Sequence, residues 1–360
     1  MHNYLLLTKE IYECKGVKMK PKVSIIILTY NSKSTLGRVL DEAIMSALSQ
    51  DYPNVEVIIA DNGSQDDTYE YIKSKYGARV KVIRFDKNYG FCLGNNLASK
   101  FVDPEARYVL FQNPDAILSQ NYVKVLVEVV EQNPIVGAIQ GLEVNSSGEK
   151  LVGFFMNSAG YYHEVLLEKD LKLRQCIEVL HASGAALLVR RCLFEAVGGF
   201  SPDYFLYFDE ADLAFRFHAL GFKILGCKNT SFIHMVGGTV TKLTGFKPIV
   251  YYFHTRNRIY TIIRYFYGKF LLSALLMNAI ILLKHLFFGN AMRRRLVIRV
   301  LLKTIKKLGD NIRMRKNYIK ALKERKVLER FIIIFYADAI CIMREVTIYI
   351  ALLQRCMSPW

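Results

Sequence analysis

The chain has little that would keep it from folding around a large core. Only 8 of its 360 residues are proline and one is tryptophan, no low-complexity tract or internal repeat interrupts it, and 52% of it is hydrophobic. Disorder is thereby excluded, and there is room for one large domain plus an appendage. Seven cysteines, Cys14, Cys92, Cys176, Cys192, Cys227, Cys341 and Cys356, show no C-x-x-C spacing. They encode neither a zinc site nor a disulfide framework, and a reducing cytosol is the expected surrounding. The first twenty residues hold one short apolar run, 5–7, without an adequate apolar core or a small-residue cleavage site. That argues against a secretory signal, and Met19 is an alternative start.

Acidic residues are also scarce in one place. The net charge is +17, yet residues 293–330 alone hold 15 Lys or Arg against Asp310, Glu324 and Glu329, a net of +12. Charge so concentrated calls for an anionic partner of that segment, either lipid or nucleic acid. Tyr318 is the one aromatic residue within it, which argues against base stacking and hence against nucleic acid.

Short β-branched apolar runs recur at residues 23–28, 55–60, 80–83, 108–111, 135–139 and 185–189. Such runs read as strands covered on both faces. Between the first two, Leu36, Leu40, Ile44 and Leu48 fall at four-residue steps, predicting one helix over 35–50. Strand, helix, strand implies a parallel crossover, and the alternation continues to about residue 140, so a doubly wound α/β sheet is expected. Ligands of such sheets bind beyond the carboxyl ends of the strands. Three polar clusters stand there: Thr29-Tyr30-Asn31-Ser32, Asp61-Asn62-Gly63-Ser64-Gln65-Asp66 and Gln112-Asn113-Pro114-Asp115.

Asp61 could accept two hydrogen bonds from a nucleobase or ribose edge, although Asn-Gly and Asp with Ser are also ordinary turn formers. Asn88-Tyr89-Gly90-Phe91, with Asn95-Asn96 after it, reads as a helix start offering amide donors near a diphosphate. Asp115 could hold Mg2+ or Mn2+ against two phosphates, shared with His234 on a loop; Asn-Pro-Asp is equally a turn signal, and a lone histidine can be structural. The densest acidic cluster is Asp209-Glu210-Ala211-Asp212, with Arg216 one turn on and Leu213, Phe217 and Leu220 marking a buried helix face. Asp209 as N-cap with Asp212 at N3 would explain it structurally. The alternative is that Glu210 is a general base, held by Asp212 or Arg216. Repulsion would raise its pKa and the helix dipole would lower it, so the direction stays open.

Together these pieces resemble family 2 of the nucleotide-sugar glycosyltransferases, in particular its rhamnosyltransferase-like branch. The resemblance runs from V-S-I-I-I-L-T-Y-N at 23–31 through I-I-A-D-N-G-S-Q-D, N-Y-G-F-C-L-G-N-N and N-P-D to A-S-G-A-A-L-L-V-R-R at 182–191. It continues with V-G-G-F, F-L-Y-F-D-E-A-D-L-A-F-R ending at Arg216, I-H-M-V-G-G-T, and Arg256-Asn257. It implies a GT-A fold, a Rossmann-like, mostly parallel mixed sheet with helices on both faces. It further implies donor binding by Thr29, Tyr30, Asn31, Asp61, Asn88, Gly90 and Asn113, a divalent cation at Asp115 and His234, and catalysis by Glu210 or Asp209, with Asp212, Arg216 and Arg256 in support. The family usually shows Glu then Asp where this chain has Asp209 then Glu210, so either can be the base. Asn113 replaces the first of two aspartates around the metal, which weakens that site. The implied reaction is an inverting, in-line transfer of one sugar to an acceptor hydroxyl. The Q-x-x-R-W signature of processive synthases is absent, hence one sugar per encounter.

The expected domains are an extension at 1–21, the transferase at 22–245 and a helical, membrane-associating region at 246–360. Residues 270–283 form an apolar run broken only by Ser273 and Asn278; at about 1.5 Å per residue it reaches about 21 Å, short of a ~30 Å bilayer core. Extension to 288 takes in Lys284 and His285, favouring an interfacial helix over a spanning one. After it, Val297, Leu301, Ile305, Leu308 and Ile312 make one stripe and Arg295, Arg299, Lys303, Lys306 and Arg313 another, the pattern of a basic anchor on an anionic membrane. A second apolar segment, 331–353, carries Asp338 and Glu345. The cytoplasmic side of the cell membrane is the expected location, with a glycan or polyprenyl-linked sugar as acceptor. Two rivals stand. A sugar nucleotidyltransferase would need a glycine-rich basic loop after the first strand, which residues 29–33 lack; an inactive nucleotide-sugar or membrane binder would show no turnover.

Overall fold

The computed structural model describes residues 20–166, 175–235 and 248–324. The extension up to residue 19, the glycines after His234, the end of the basic segment and the apolar segment 331–353 lie outside the described residues. The chain divides into two compact units, residues 1–154 with 164–254, and residues 155–163 with 255–360.

In the first unit the elements run β1 (Lys22–Thr29), α1 (Ser32–Leu36), α2 (Arg38–Leu48), β2 (Val55–Asp61), α3 (Thr68–Tyr76), β3 (Lys81–Arg84), α4 (Gly90–Ala98), β4 (Ala106–Gln112), β5 (Ala116–Leu118), α5 (Tyr122–Gln132) and β6 (Val136–Asn145). They continue with β7 (Lys150–Met156) and β8 (Tyr162–Leu166), each shared with the second unit, then β9 (Cys176–Val179), β10 (Ala186–Arg190), α6 (Arg191–Ala196), α7 (Asp209–Ala219) and β11 (Lys223–His234). The sheet order is β3-β2-β1-β4-β10-β6-β11-β5, with β7 attached to β6 and β9 to β11. β3, β2, β1 and β4 are mutually parallel, as are β6 and β11. β10 runs antiparallel between β4 and β6, making a mixed, mostly parallel α/β sheet. All six apolar runs read from the sequence are strands.

Successive residues Ile25, Ile26 and Ile27 are all fully buried, because helices cover both faces of β1. One face packs Leu40, Ile44, Leu110 and Leu126. The other is an aromatic cluster, with Phe111 5.0 Å from both Phe194 and Phe200. The helix expected over 35–50 is two helices, since Gly37 at their junction has φ +57°, a conformation that interrupts the hydrogen-bond ladder and that glycine adopts most readily. The cysteine expectation is corrected as well: Cys176 and Cys227 are disulfide-bonded, facing each other in the β9–β11 ladder.

The second unit contains helices α8 (Pro248–Tyr265, shared with the first at its start), α9 (Gly268–Phe288), α10 (Ala291–Lys306) and α11 (Leu308–Glu324). Asn278, which interrupts the apolar run in the sequence, is buried in α9 and accepts from Arg258 Nε at 2.8 Å. Ala274, Asn278 and Leu282 are the buried positions of α9, whereas Leu272, Leu276 and Phe288 are exposed. At 21 residues, α9 is about 31 Å long, longer than its apolar run suggests. By length and composition it is able to cross a membrane. On α10, Val297 and Val300 point inward, while Leu302 and Ile305 are 63% and 68% exposed.

Candidate active site

The first cluster after a strand is built from two loops locked together. Asn31, in the left-handed region at φ 47°, accepts from the Gln65 amide at 2.7 Å and donates its own amide to Ser64 Oγ at 2.8 Å. Asp61 is buried beneath them, accepting from the Ser64 amide at 3.0 Å, from the Ser64 hydroxyl, and from Thr29 Oγ1 at 3.4 Å. Burial pushes its carboxyl up, while Ser64, Arg84 and Thr29 hold it down. Its turn role is therefore real. Above it a cavity of about 550 Å³ is lined by Tyr30, Gly63, Arg84, Lys87 and Asn88 among others. Arg84 Nε lies 4.0 Å from Asp61. Neither Arg84 nor Lys87 was singled out from the sequence, where the signal was a basic residue directly after the third strand run.

The helix start at Asn88-Tyr89-Gly90 does something other than offer free amides, which corrects that expectation. The amide of Tyr89 donates to Asn62 Oδ1 at 2.9 Å, that of Gly90 to Asn88 Oδ1 at 2.8 Å and that of Phe91 to the Phe205 carbonyl at 3.0 Å. Gly90 has φ +77°, and a Cβ there would lie 2.5 Å from the Phe205 ring. The segment thus ties the loop after β2 to the chain entering α7.

Asp115 and His234 are brought together. His234 is the last residue of β11, paired with Ala116 and Asn145, and not on a loop as the sequence suggested. Its Nε2 lies 3.6 Å from Asp115 Oδ1, and its Nδ1 donates to Glu143 Oε1 at 2.6 Å. Burial alone would lower its pKa, but the hydrogen bonds and charges of Asp115 and Glu143 outweigh that and raise it to about 9. Among the described residues no three metal-binding side chains form a complete cation site. Asp115 and Nε2 are nonetheless close enough to share one cation at ligand distances of ~2.0–2.2 Å, with Glu143 receiving the other ring N–H as ligating histidines require. The pair fits a cation completed by phosphate oxygens.

Asn113 links this corner to the acidic cluster, its amide donating to the Ala185 carbonyl at 2.8 Å. The next amide back, Gly184 N–H, donates to Glu210 Oε1 at 3.1 Å. Glu210 therefore sits one residue from the β4–β10 junction that carries Asn113, with Glu143 near enough to raise its pKa. Burial is the larger cause of that rise. Burial and then the Glu210 charge push the Asp209 carboxyl well above the usual range, and its Oδ2 is buried without a hydrogen-bond partner.

The capping explanation fails, because the N-cap is Phe208 at φ 66° and no side chain caps α7. Asp212 accepts from Arg216 Nη2 at 2.6 Å, and Arg216 Nη1 donates to the carbonyls of Val197 and Gly199 at 2.8 and 2.7 Å. This pair anchors the 197–199 loop. Arg256 belongs to the second unit, where it donates to Asn257 Oδ1 and lies over Tyr260.

Residues 24–198 match the family described as Glycosyl transferase family 2. An uncharacterized glycosyltransferase of Rickettsia typhi is 30% identical over 201 residues, 55% of this chain and 58% of that protein. UDP-Glc:alpha-D-GlcNAc-diphosphoundecaprenol beta-1,3-glucosyltransferase WfaP of Escherichia coli is 38% identical over 93 residues, 26% of this chain and 35% of that one. The chain spans about half the length of the curated relatives it matches. The crystal structure of GalNAc-T7 with UDP, GalNAc and Mn2+ has a TM-score of 0.55 at 13% identity, covering 82% of this chain and 58% of that one, a likeness of fold. With a GT-A-like sheet and these matches in hand, the chain is similar to glycosyl transferase family 2 over residues 24–198, just under half of its length.

Proposed function

We propose that the protein is an inverting, non-processive glycosyltransferase that moves one sugar from a nucleotide-diphosphate sugar to an acceptor hydroxyl. The observation that carries this reading is the Gly184–Glu210 contact beside the β4–β10 junction, which sets a held carboxylate near the Asp115, His234 and Glu143 group. Glu210 takes the acceptor proton as the hydroxyl attacks. One of its oxygens is fixed by the Gly184 amide, and the stronger upward push on the Asp209 carboxyl, from burial and then the Glu210 charge, favours Glu210 as the partner that carries the charge. Attack on one side and departure of the diphosphate on the other inverts the anomeric carbon without a covalent intermediate. Tyr30, Arg84, Lys87 and Asn88 line the space proposed for the nucleotide, with Asp61 and Asn31 bracing its floor. Asp115 and His234 would hold a Mg2+ or Mn2+ ion, which when bound neutralises charge on the leaving diphosphate.

The donor is proposed to be a nucleotide-linked hexose or deoxyhexose, in line with the rhamnosyltransferase-like resemblance. A polyprenyl-diphosphate-linked sugar is the proposed acceptor, supported by the name of the Escherichia coli relative and by a second unit rich in exposed apolar and basic side chains. The same unit suggests work at an anionic membrane surface on its cytoplasmic side, with α9 and α10 peripheral or shallowly inserted.

The test is turnover against a panel of nucleotide sugars with Mn2+, for the native chain and Glu210→Gln. The variant should keep donor binding and lose roughly 10²–10⁴-fold in kcat, the usual worth of a general base. Equal turnover of the two proteins would sink the assignment.

A further inference from the structure

Glu143 is an acidic residue that no motif singles out. It sits inside β6 with 3% of its surface exposed, a costly place for a carboxylate. In the parallel β6–β11 ladder, Glu143 stands opposite Phe232 and Asn145 opposite His234. Glu143 and His234 are therefore diagonal neighbours on one face, a spacing that longer side chains bridge. The Nδ1–Oε1 bond of 2.6 Å is that bridge.

What the bridge does follows from the ring. An imidazole whose Nδ1–H is tied has its Nε2 direction set, since the two nitrogens are rigidly opposed. Here Nε2 is left facing Asp115 Oδ1 at 3.6 Å. The backbone reinforces the placement, with the Met235 amide donating to the Asp115 carbonyl at 3.0 Å. A carboxylate present only to stabilise the ladder would be expected to use both oxygens, yet Oε2 of Glu143 is buried without a hydrogen-bond partner.

We propose that Glu143 is a positioning residue of the transfer site, whose carboxylate holds the His234 ring with Nε2 turned toward Asp115 and the donor diphosphate. This rests on the function proposed above and adds a residue to it. Glu143 acts through His234 and touches no reacting atom.

The experiment uses the full chain as wild type, E143Q, E143L, H234A and the E143L/H234A double variant. Two readouts apply: the His234 Nδ1–H proton resonance, and affinity for Mn2+ alone followed by its electron paramagnetic resonance signal. In the wild type the proton should be downfield and protected from exchange; E143Q should shift but keep it, because the amide oxygen still accepts, and E143L should lose it. Mn2+ affinity should fall by about 10–100-fold in E143L, the range for removing such a partner, and E143L should cost less than about twofold more once His234 is gone. An equal loss in both backgrounds, or an unmoved resonance in E143L, overturns the proposal. Should E143L fail to fold, an unchanged resonance in E143Q does the same. Undiminished Mn2+ affinity in H234A would instead overturn the phosphate-side assignment of the function, while the resonance still reports on Glu143.

Discussion

Replacing Gly184 with alanine tests the base without touching it. The Gly184 backbone does not lie in the left-handed region, so alanine meets no φ penalty there. A Cβ added at Gly184 would lie 2.8 Å from Glu210 Oε1, 3.0 Å from its Cγ and 3.3 Å from its Cδ. Ordinary contacts begin near 3.4 Å, so the carboxylate has to retreat by about half an ångström and stretch the 3.1 Å bond from the Gly184 amide. Misplacing a reacting group by ~1 Å can cost ~10²-fold, so half of that predicts a loss of about tenfold in kcat, or about 1.4 kcal/mol. Stability should change little, because the ~0.4–1 kcal/mol that Gly→Ala gains through the unfolded chain is set against the cost of displacing the Glu210 carboxylate. The assay pairs kcat at saturating acceptor with a thermal melt and donor affinity by calorimetry. A G184A protein with native kcat would refute the placement of Glu210, and one with lowered Tm would show that the effect was structural.

Three further outcomes are expected. Because burial and the Glu210 charge hold the Asp209 carboxyl well above its usual range, the stability tied to its proton is full below the unfolded pKa of ~3.9 and is lost as pH rises through the folded value. Asp209→Asn should flatten that loss and keep turnover within about threefold, while Glu210, also raised, places the acidic limb of kcat/KM above the ordinary glutamate range; a D209N enzyme as dead as E210Q would make Asp209 the base. Changing Arg295, Arg299, Lys303 and Lys306 to Gln should weaken binding to phosphatidylserine vesicles by roughly 10²-fold or more, at about 1 kcal/mol per charge, and leave binding to neutral vesicles unchanged; equal binding to both would end the membrane reading. Removing the Cys176–Cys227 bond, 51 residues apart in sequence, should cost up to about 4 kcal/mol by loop entropy, checked by the denaturant midpoint of the double Ser variant against the parent.

The strands with both faces buried were legible because continuous β-branched runs such as 23–28 have no other use in a soluble sheet. β11 was not, since its middle, Gly226 to Ser231, breaks register with β6 and its residues mix Lys, Asn, Thr and Ser with apolar ones. That break hid the strand and put His234 on an imagined loop. Strand-end clusters gave Asn31, Asp61, Asn113 and Asp115, because polar residues following a buried strand can be recognised by position alone. Glu143 escaped for the converse reason, since it lies within a strand whose apolar reading stopped at Ile139. An acidic residue between Leu142 and Val144 was the available signal. For Asp209, an N-cap and a catalytic neighbour have the same sequence appearance. What separates them is the left-handed φ of Phe208, which composition does not encode.

The antiparallel placement of β10 is what makes the catalytic proposal geometrically coherent. In a purely parallel sheet, the loop entering the strand beside β4 would lie at the end opposite Asn113. Reversing β10 brings its entry, Ser183 to Ala185, to the carboxyl end of β4, where the Asn113 amide binds the Ala185 carbonyl and the Gly184 amide faces Glu210. Glu143 and Glu210, far apart in sequence, thereby enter one electrostatic neighbourhood, in which burial first and then the Glu143 charge raise the pKa of Glu210. Such crowding of acid groups opposes folding. The fold offsets it by setting the His234 ring between Asp115 and Glu143, whose hydrogen bonds and charges outweigh burial and raise its pKa to about 9. A cation held by Asp115 and His234 would take the place of the proton on Nε2, with Glu143 still receiving the Nδ1–H.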